Sequence, residues 1–300
     1  MSVLVVGSIA YDTVETPYGS VKDSPGGSAL YFSAAASLFC PVKVVGVVGS
    51  DFDASRLSFL KKRGVNLDGL YVESGETFRW GGRYHRDMNH RDTLFTYLNV
   101  FENFQPKIPA QYKDSEFVFL ANIDPSLQLQ VLEQIHKPRL VVLDTMNFWI
   151  SGKRATLESV IKRCDILILN DEEAKELSDE TNLVVAINKI SDTLGPKTII
   201  VKKGEHGALL FDKGKFFFAP AYPLAKVTDP TGAGDSFAGG FLGFIAQAKN
   251  LRHTTLRKAL IYGSAVASFN VEDFSFNRLV HLTRKELDER FEDFKKMTRF

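Results

Sequence analysis

The chain has 300 residues, 44% of them apolar, with 37 Lys and Arg set against 36 Asp and Glu. That length suits one α/β domain with an insertion, and the near-zero net charge gives no electrostatic case for nucleic acid or an anionic membrane as partner. Cys40 and Cys164 stand in neither a C-x-x-C pair nor a zinc spacing, and read as buried free thiols in a reducing compartment.

In chain order, "MSVLVVGSIAYD" shows no basic leader region, and no apolar run reaches bilayer length, so the expected location is the cytoplasm. "VLVV" at 3–6 reads as a strand buried on both faces, followed by a helix over about 27–39. "VKVVGVV" at 42–48 is the next strand and about 53–63 the next helix. Residues 69–100 break the rhythm: they are rich in Tyr, Phe, Trp and Thr, with a Gly-Gly turn, and read as a small inserted β-sheet outside the core. The strands "FVFL" at 117–120, "LVVLD" at 140–144, "ILIL" at 166–169 and "TIIV" at 198–201 then alternate with helices near 126–136, 153–163, 171–178 and 182–193. Helices near 234–248, 254–269 and 284–297 close the chain, the last with capping-box spacing between Thr283 and Glu286. Alternating strands and helices imply βαβ units: an α/β fold with a mostly parallel sheet flanked by helices, as a single domain over 1–300.

The segment "KVTDPTGAGDSFAGGFLGFIAQA" at 226–248 carries the chemistry. Thr231 to Gly234 have little side-chain bulk, so backbone N–H groups can approach a ligand closely. They open a helix, whose first amides lack partners and whose N-terminus is partly positive. Together these make an anion hole. Asp235, placed where an anion binds, is electrostatically costly unless it takes a proton from a hydroxyl attacking phosphorus. The alternative is a tight glycine turn with Asp235 as an ordinary first-turn charge; from the glycines alone the two stand level. No Lys-Ser or Lys-Thr follows, so this is not a Walker A loop, and G-x-G-x-x-G is absent from it.

"DPTGAGDSFAGGF" resembles the carboxy-terminal signature of the ribokinase-like (PfkB) sugar and nucleoside kinases. The resemblance continues through "GSIAYDTV" near the N-terminus, "SPGGSALYFSAAAS", "NDEEAKEL" at 170–177 and "VKKGEHGALLF" at 201–211. It implies a ribokinase-like fold, with a β-sheet lid at 69–100 and further lid strands near 12–20. By position, Asp235 is then the catalytic base, and Gly232, Ala233 and Gly234 form the anion hole. Asp12, Gly26 and Gly27 touch the acceptor. Tyr31 falls where the family carries a sugar-contacting asparagine. Asn170 and Glu173 organise phosphate and Mg²⁺, the latter through water, although the pair also has N-cap and N3 spacing. Lys202, Gly204 and Gly207 line the nucleotide side, and Ser264 borders the adenine. Asp144 and Asn147, in "DTMNFW", are weaker candidates near the phosphate channel. Some members hold a monovalent cation with Asp229, Thr231 and the loop after the penultimate helix. Here that loop, "NVEDFSFNRL", lacks the glycine common there, and the cation stays an open alternative.

The expected function is ATP- and Mg²⁺-dependent phosphoryl transfer to a primary hydroxyl of a sugar, with a nucleoside as the alternative acceptor. The second alternative is a non-catalytic ligand-binding regulator on the same fold. Phe78, Trp80, Tyr84, Phe95 and Tyr97 alternate with polar residues and offer a stacking surface for a flat base. The aromatic insert also suggests a homodimer joined through it.

Overall fold

Each Val- and Ile-rich run named above is a strand in the computed structural model, which describes residues 1–299. The chain runs β1 (Val3–Val6), β2 (Ala10–Thr16), β3 (Gly19–Gly26), α1 (Ser28–Ala36), β4 (Val42–Gly49), α2 (Ser58–Lys62), β5 (Val65–Glu73), β6 (Phe78–Tyr84) and β7 (Arg91–Tyr97). It continues through β8 (Phe117–Leu120), α3 (Pro125–Gln134), β9 (Leu140–Asp144), α4 (Asn147–Gly152), α5 (Arg154–Ile161), β10 (Ile166–Asn170), α6 (Asp171–Ser178) and α7 (Leu183–Leu194). Last come β11 (Thr198–Lys202), β12 (Ala208–Asp212), β13 (Lys215–Ala219), α8 (Ala233–Ala248), α9 (His253–Asn270), α10 (Asn277–His281) and α11 (Arg284–Met297).

Nine strands form one sheet in the order β13-β12-β11-β10-β9-β8-β1-β4-β5. All neighbours pair parallel except β11–β12 and β12–β13. The alternation of side chains explains why these strands are apolar throughout. Val3 and Val5 face a core shared with α1, α8 and α9, while Leu4 and Val6 face a second core shared with α3, α5, α6 and α7. Burying each such side chain contributes about 1.5–3 kcal/mol, so a strand exposed on either face would forfeit half of that gain. The β12–β13 hairpin turns on Lys213 and Gly214, both left-handed at φ 51° and 82°, as a two-residue turn between twisted strands requires. Thr283 and Glu286 form the capping box that opens α11. Cys40 and Cys164 are free and buried, and burial pushes the Cys40 thiol up to about 12. Among the described residues, no helix is long and apolar enough to cross a membrane.

A second, four-stranded sheet has the order β3-β2-β6-β7, with β2 and β6 parallel and the outer pairs antiparallel. Its composition differs from an insert spanning 69–100. Residues 69–73 belong to β5, at the edge of the large sheet, where Gly69 lies opposite Val45 and Val72 opposite Val48. Only β6 and β7 come from the aromatic stretch; the other half is β2 and β3, which reach from Ala10 to Gly26. Edge strand β5 is half-exposed, so its sequence alternates like that of a free-standing sheet, and only its register with β4 assigns it to the core.

Candidate active site

Parallel strands end together, and their carboxyl ends gather side chains from distant parts of the chain. Asp144, Asn170 and Lys202 are the last residues of β9, β10 and β11. The register sets Asn170 beside Lys202, and the Lys202 ammonium reaches across to Asp144 at 3.2 Å. Burial draws Lys202 down, but the carboxylates of Asp144, Glu173 and Asp235 outweigh it and hold the ammonium charged.

The glycine stretch enters this cluster from α8. Asp229 accepts the Thr231 N–H at 2.8 Å, and the Ala233 N–H donates to Pro230 O at 3.1 Å. Gly232 caps the helix in the left-handed region at φ 73°. A Cβ there would lie 2.2 Å from the Tyr31 ring, so both the dihedral and the space require glycine. Ser236 N–H closes an i−4 bond onto Gly232 O, so the Gly234 and Asp235 amides stand ahead of the regular ladder. A Cβ on Gly234 would meet Lys202 Nζ at 3.0 Å, which sets the ammonium against the same helix end.

Asp235 is partly buried and keeps contact with solvent. Burial and the charge of Asp144 raise its carboxyl to about 7, against the pull of Lys202 and Arg91. Glu173 is likewise raised to about 7, by burial first and the Asp144 charge, with Lys202 opposing. Asn170 and Glu173 do form the reciprocal capping box of α6, with bonds of 2.7 Å each way. That uses Glu173 Oε2 and leaves Oε1 uncommitted. Among the described residues no cluster of three acids could hold a metal. A single buried carboxylate near a helix N-terminus is a donor set that could hold Mg²⁺ through water, since Mg²⁺ keeps several waters and is carried largely by phosphate oxygens.

Asp12 lies on β2, buried, with its carboxylate over the Gly26–Gly27 backbone; a Cβ on Gly26 would meet Asp12 Oδ2 at 1.9 Å. Burial and the Asp229 charge raise it to about 7, while the Gly27 amide and Arg91 oppose. Gly27 also caps α1 at φ 90°, where a Cβ would meet Ser8 O at 2.6 Å. Tyr31 is 1% exposed, edge-on to Phe276, and its hydroxyl has no partner. Its ring packs against the Gly232 turn. Gly204 and Gly207 shape the turn after β11, at φ 53° and 90°. Ser264 is buried on α9. Asn147 turns to Glu176 on α6, away from the Asp144–Lys202 pair.

The small sheet brings in Trp80 and Tyr84, two of the aromatic residues expected to offer a stacking surface, and Arg91, which the sequence did not single out. Thr231 Oγ1 donates to Tyr84 Oη at 3.2 Å, tying β6 to the glycine turn. Trp80 is the register partner of Asp12, and the Arg91 guanidinium lies 5.2 Å from the Trp80 ring centre. Arg79 bonds Asp23 of β3 at 2.6 Å, within the small sheet, and Asp51, just after β4, at 2.7 Å, and the second contact ties the small sheet to the core. The alternation that puts Trp80 and Tyr84 on one face was legible; that this face meets Asp12 and Thr231 was not. An open groove of about 870 Å³ beside α9 and α11, lined by Tyr262 and Phe291, is remote from these groups.

A family model described as pfkB family carbohydrate kinase matches residues 1–279. A cytidine kinase of Thermococcus kodakarensis is 28% identical over 257 residues, covering 84% of this chain and 91% of its own. The nucleoside kinase of Methanocaldococcus jannaschii, an archaeal member of the ribokinase family, superposes with a TM-score of 0.77 at 24% identity, over 97% of this chain and 98% of its own. A Vibrio cholerae fructokinase double mutant, solved with fructose, ADP and a potassium ion, gives a TM-score of 0.79 at 18% identity, over 97% and 98%. The chain belongs to the pfkB family of carbohydrate kinases, and is an ATP-dependent kinase of a sugar or nucleoside.

Proposed function

We propose that this kinase moves the γ-phosphoryl group of ATP to the primary hydroxyl of a nucleoside, with Asp235 as general base. The observation that carries the reading is a carboxyl raised to about 7, set at the start of α8 among free amides and beside the Lys202 ammonium. A base of that pKa is about half ionised at neutral pH, so it is available as the carboxylate yet basic enough to take a proton. The acceptor oxygen bonds to phosphorus as the bond to the β–γ bridging oxygen breaks; ADP leaves and the proton passes to Asp235. Gly232, Gly234 and Lys202 stabilise the charge on the equatorial oxygens, while the Ala233 N–H, expected to join them, already donates to Pro230 O. Glu173 would hold Mg²⁺ through a water, and Mg²⁺ when bound screens the phosphate charges. Asp12 and the backbone at Gly26 and Gly27 orient the acceptor hydroxyls. Lys202, Gly204 and Gly207 border the nucleotide, and the small sheet acts as the lid.

Trp80 supports the nucleoside over a free sugar. It stands beside Asp12, so a base attached to the sugar held there meets an indole face. The named cytidine and nucleoside kinases among the relatives point the same way. The free-sugar reading keeps the support of a Bacillus subtilis ribokinase at 26% identity. A panel of nucleosides, pentoses and hexoses with ATP and Mg²⁺, following ADP release, decides. Turnover of pentoses alone overturns the nucleoside reading, and binding without turnover of any acceptor favours a regulator.

Leu94 and Tyr97 of β7 and Leu98 just beyond it are exposed, and β3 and β7 are the outer strands of the small sheet. These support a homodimer joined through the lids. Light scattering showing a monomer at high protein concentration would refute it.

A further inference from the structure

The hairpin of β6 and β7 is pinned at its near end. β2 pairs with β6 as far as Arg83, and Thr231 Oγ1 then donates to Tyr84 Oη at 3.2 Å. Arg91, where β7 begins, lies over the Trp80 ring, and its charge is felt at both Asp12 and Asp235. This end of the hairpin thus stands beside the acceptor carboxylate and the base. From His85 to His90 the chain belongs to neither sheet, and this tip is organised from within. His85 N–H donates to His90 O at 2.9 Å, and Met88 N–H to His85 O at 3.0 Å. Asp87 Oδ1 accepts the N–H groups of Asn89 and His90, each at 3.1 Å, and Oδ2 pairs with the His90 ring. That pairing raises His90 above its ordinary value, and the charge of Glu172, at the start of α6, adds to it.

Among the described residues, one hydrogen bond from the tip leaves the hairpin: Asn89 Nδ2 donates to Glu205 Oε1 at 3.4 Å. A Cβ on Gly204 would lie 3.4 Å from Asn89 Oδ1. Gly204 and Glu205 begin the turn after Lys202, whose ammonium stands against the start of α8. The tip has crossed from the acceptor side to the turn that borders the donor nucleotide. We propose that the hairpin straps the phosphoryl path and latches on the donor side, through Asn89 on Glu205, so that the lid controls exchange of the nucleotide as well as cover of the acceptor. The inference rests on the kinase reading for what lies beneath the hairpin. Asn89 is a positioning residue; it does not touch the reacting atoms. The contact suits a latch because it is weak. Both side chains are exposed, and Glu205 Oε1 also has the His206 ring at 3.9 Å. Exposed contacts of this kind shift an equilibrium about fivefold at most, so the tip lifts readily once in each turnover.

The test follows release of ADP carrying a fluorescent ribose label from the full chain with Mg²⁺, chased by excess ADP. Asn89→Asp sets a carboxylate against Glu205 and is expected to speed release about two- to fivefold, whereas Asn89→Lys pairs with Glu205 and is expected to slow it by a similar factor. Glu205→Gln keeps the size of that side chain and removes its charge, so both effects should shrink in the doubly substituted proteins. Backbone hydrogen exchange at residues 85–90 of the nucleotide-free chain should rise with Asn89→Asp and fall with Asn89→Lys. Both positions are exposed, so the substitutions disturb no core contact. Release rates indifferent to the sign of the charge at residue 89 overturn the latch, as do effects that persist in full with Glu205→Gln, or exchange at the tip that neither variant alters. If the wild-type chain binds no nucleotide and phosphorylates no acceptor, the kinase reading fails instead; the exchange series needs no ligand and still reports whether the tip meets Glu205.

Discussion

Asp235→Asn separates two consequences of placing a carboxyl at the start of α8. The native group titrates at about 7 instead of 3.8, because burial and Asp144 outweigh Lys202 and Arg91. Between those pH values the folded chain keeps a proton that the unfolded chain has released. The stability contributed by that proton is complete below about pH 3.8 and is lost as pH rises through about 7. At about 1.4 kcal/mol per pKa unit, the penalty is roughly 2 kcal/mol by pH 5 and roughly 4 kcal/mol by pH 8. The D235N protein carries no such penalty. Its stability margin over the wild type should therefore widen by about 2–3 kcal/mol between pH 5 and pH 8. Coupling to Asp12, also raised in part by Asp235, acts in the same direction. Urea denaturation of both proteins at the two pH values reads the margin, and steric effects of the substitution cancel in the difference. Turnover of D235N should at the same time fall about 10²–10⁴-fold. A margin that stays constant with pH would show that the carboxyl ionises freely. Near-wild-type turnover would remove Asp235 as the base.

Three further outcomes are expected. Gly232→Ala places a Cβ against the Tyr31 ring in a left-handed conformation that already costs about 1–2 kcal/mol. Both melting temperature and turnover should fall, and an unaltered protein would refute the tight turn. Trp80→Ala removes a stacking partner worth about 1–3 kcal/mol, so KM for a nucleoside should rise about 5- to 150-fold while KM for a free pentose stays put. Equal effects on both would argue against base stacking. Arg91→Ala takes away the cation that the small sheet presents to Asp12 and Asp235, so both carboxyls move further upward. The ascending limb of kcat/KM against pH should shift to higher pH, and an unmoved profile would show that Arg91 does not face the base.

Most of the fold was written in short-range pattern. Runs such as "LVVLD" and "ILIL" became strands because both faces are covered, and "NDEE" became a cap because Asn170 and Glu173 sit three residues apart. The site was legible where its chemistry is local: the turn at Gly232, the helix start behind it, and Asp235 one turn on. It was not legible where a partner arrives from far along the chain. Nothing local in "YFSAAAS" shows that Tyr31 lies beneath Gly232, or that its hydroxyl is buried without a partner. Nor does anything local in "HRDTLFTY" show that Arg91 lies over the Trp80 ring.

The sequence by itself determined the layered α/β arrangement, the βαβ rhythm and the glycine-capped start of α8, because side-chain periodicity and glycine dihedrals act between residues a few positions apart. Tertiary structure alone decided that β5 joins the large sheet, that β2 and β3 complete the small one, that Trp80 and Arg91 meet Asp12, and that Asn270 grips a carbonyl 39 residues away. Those choices depend on strand register and on how two buried layers pack, and neither is encoded in any one stretch of the chain.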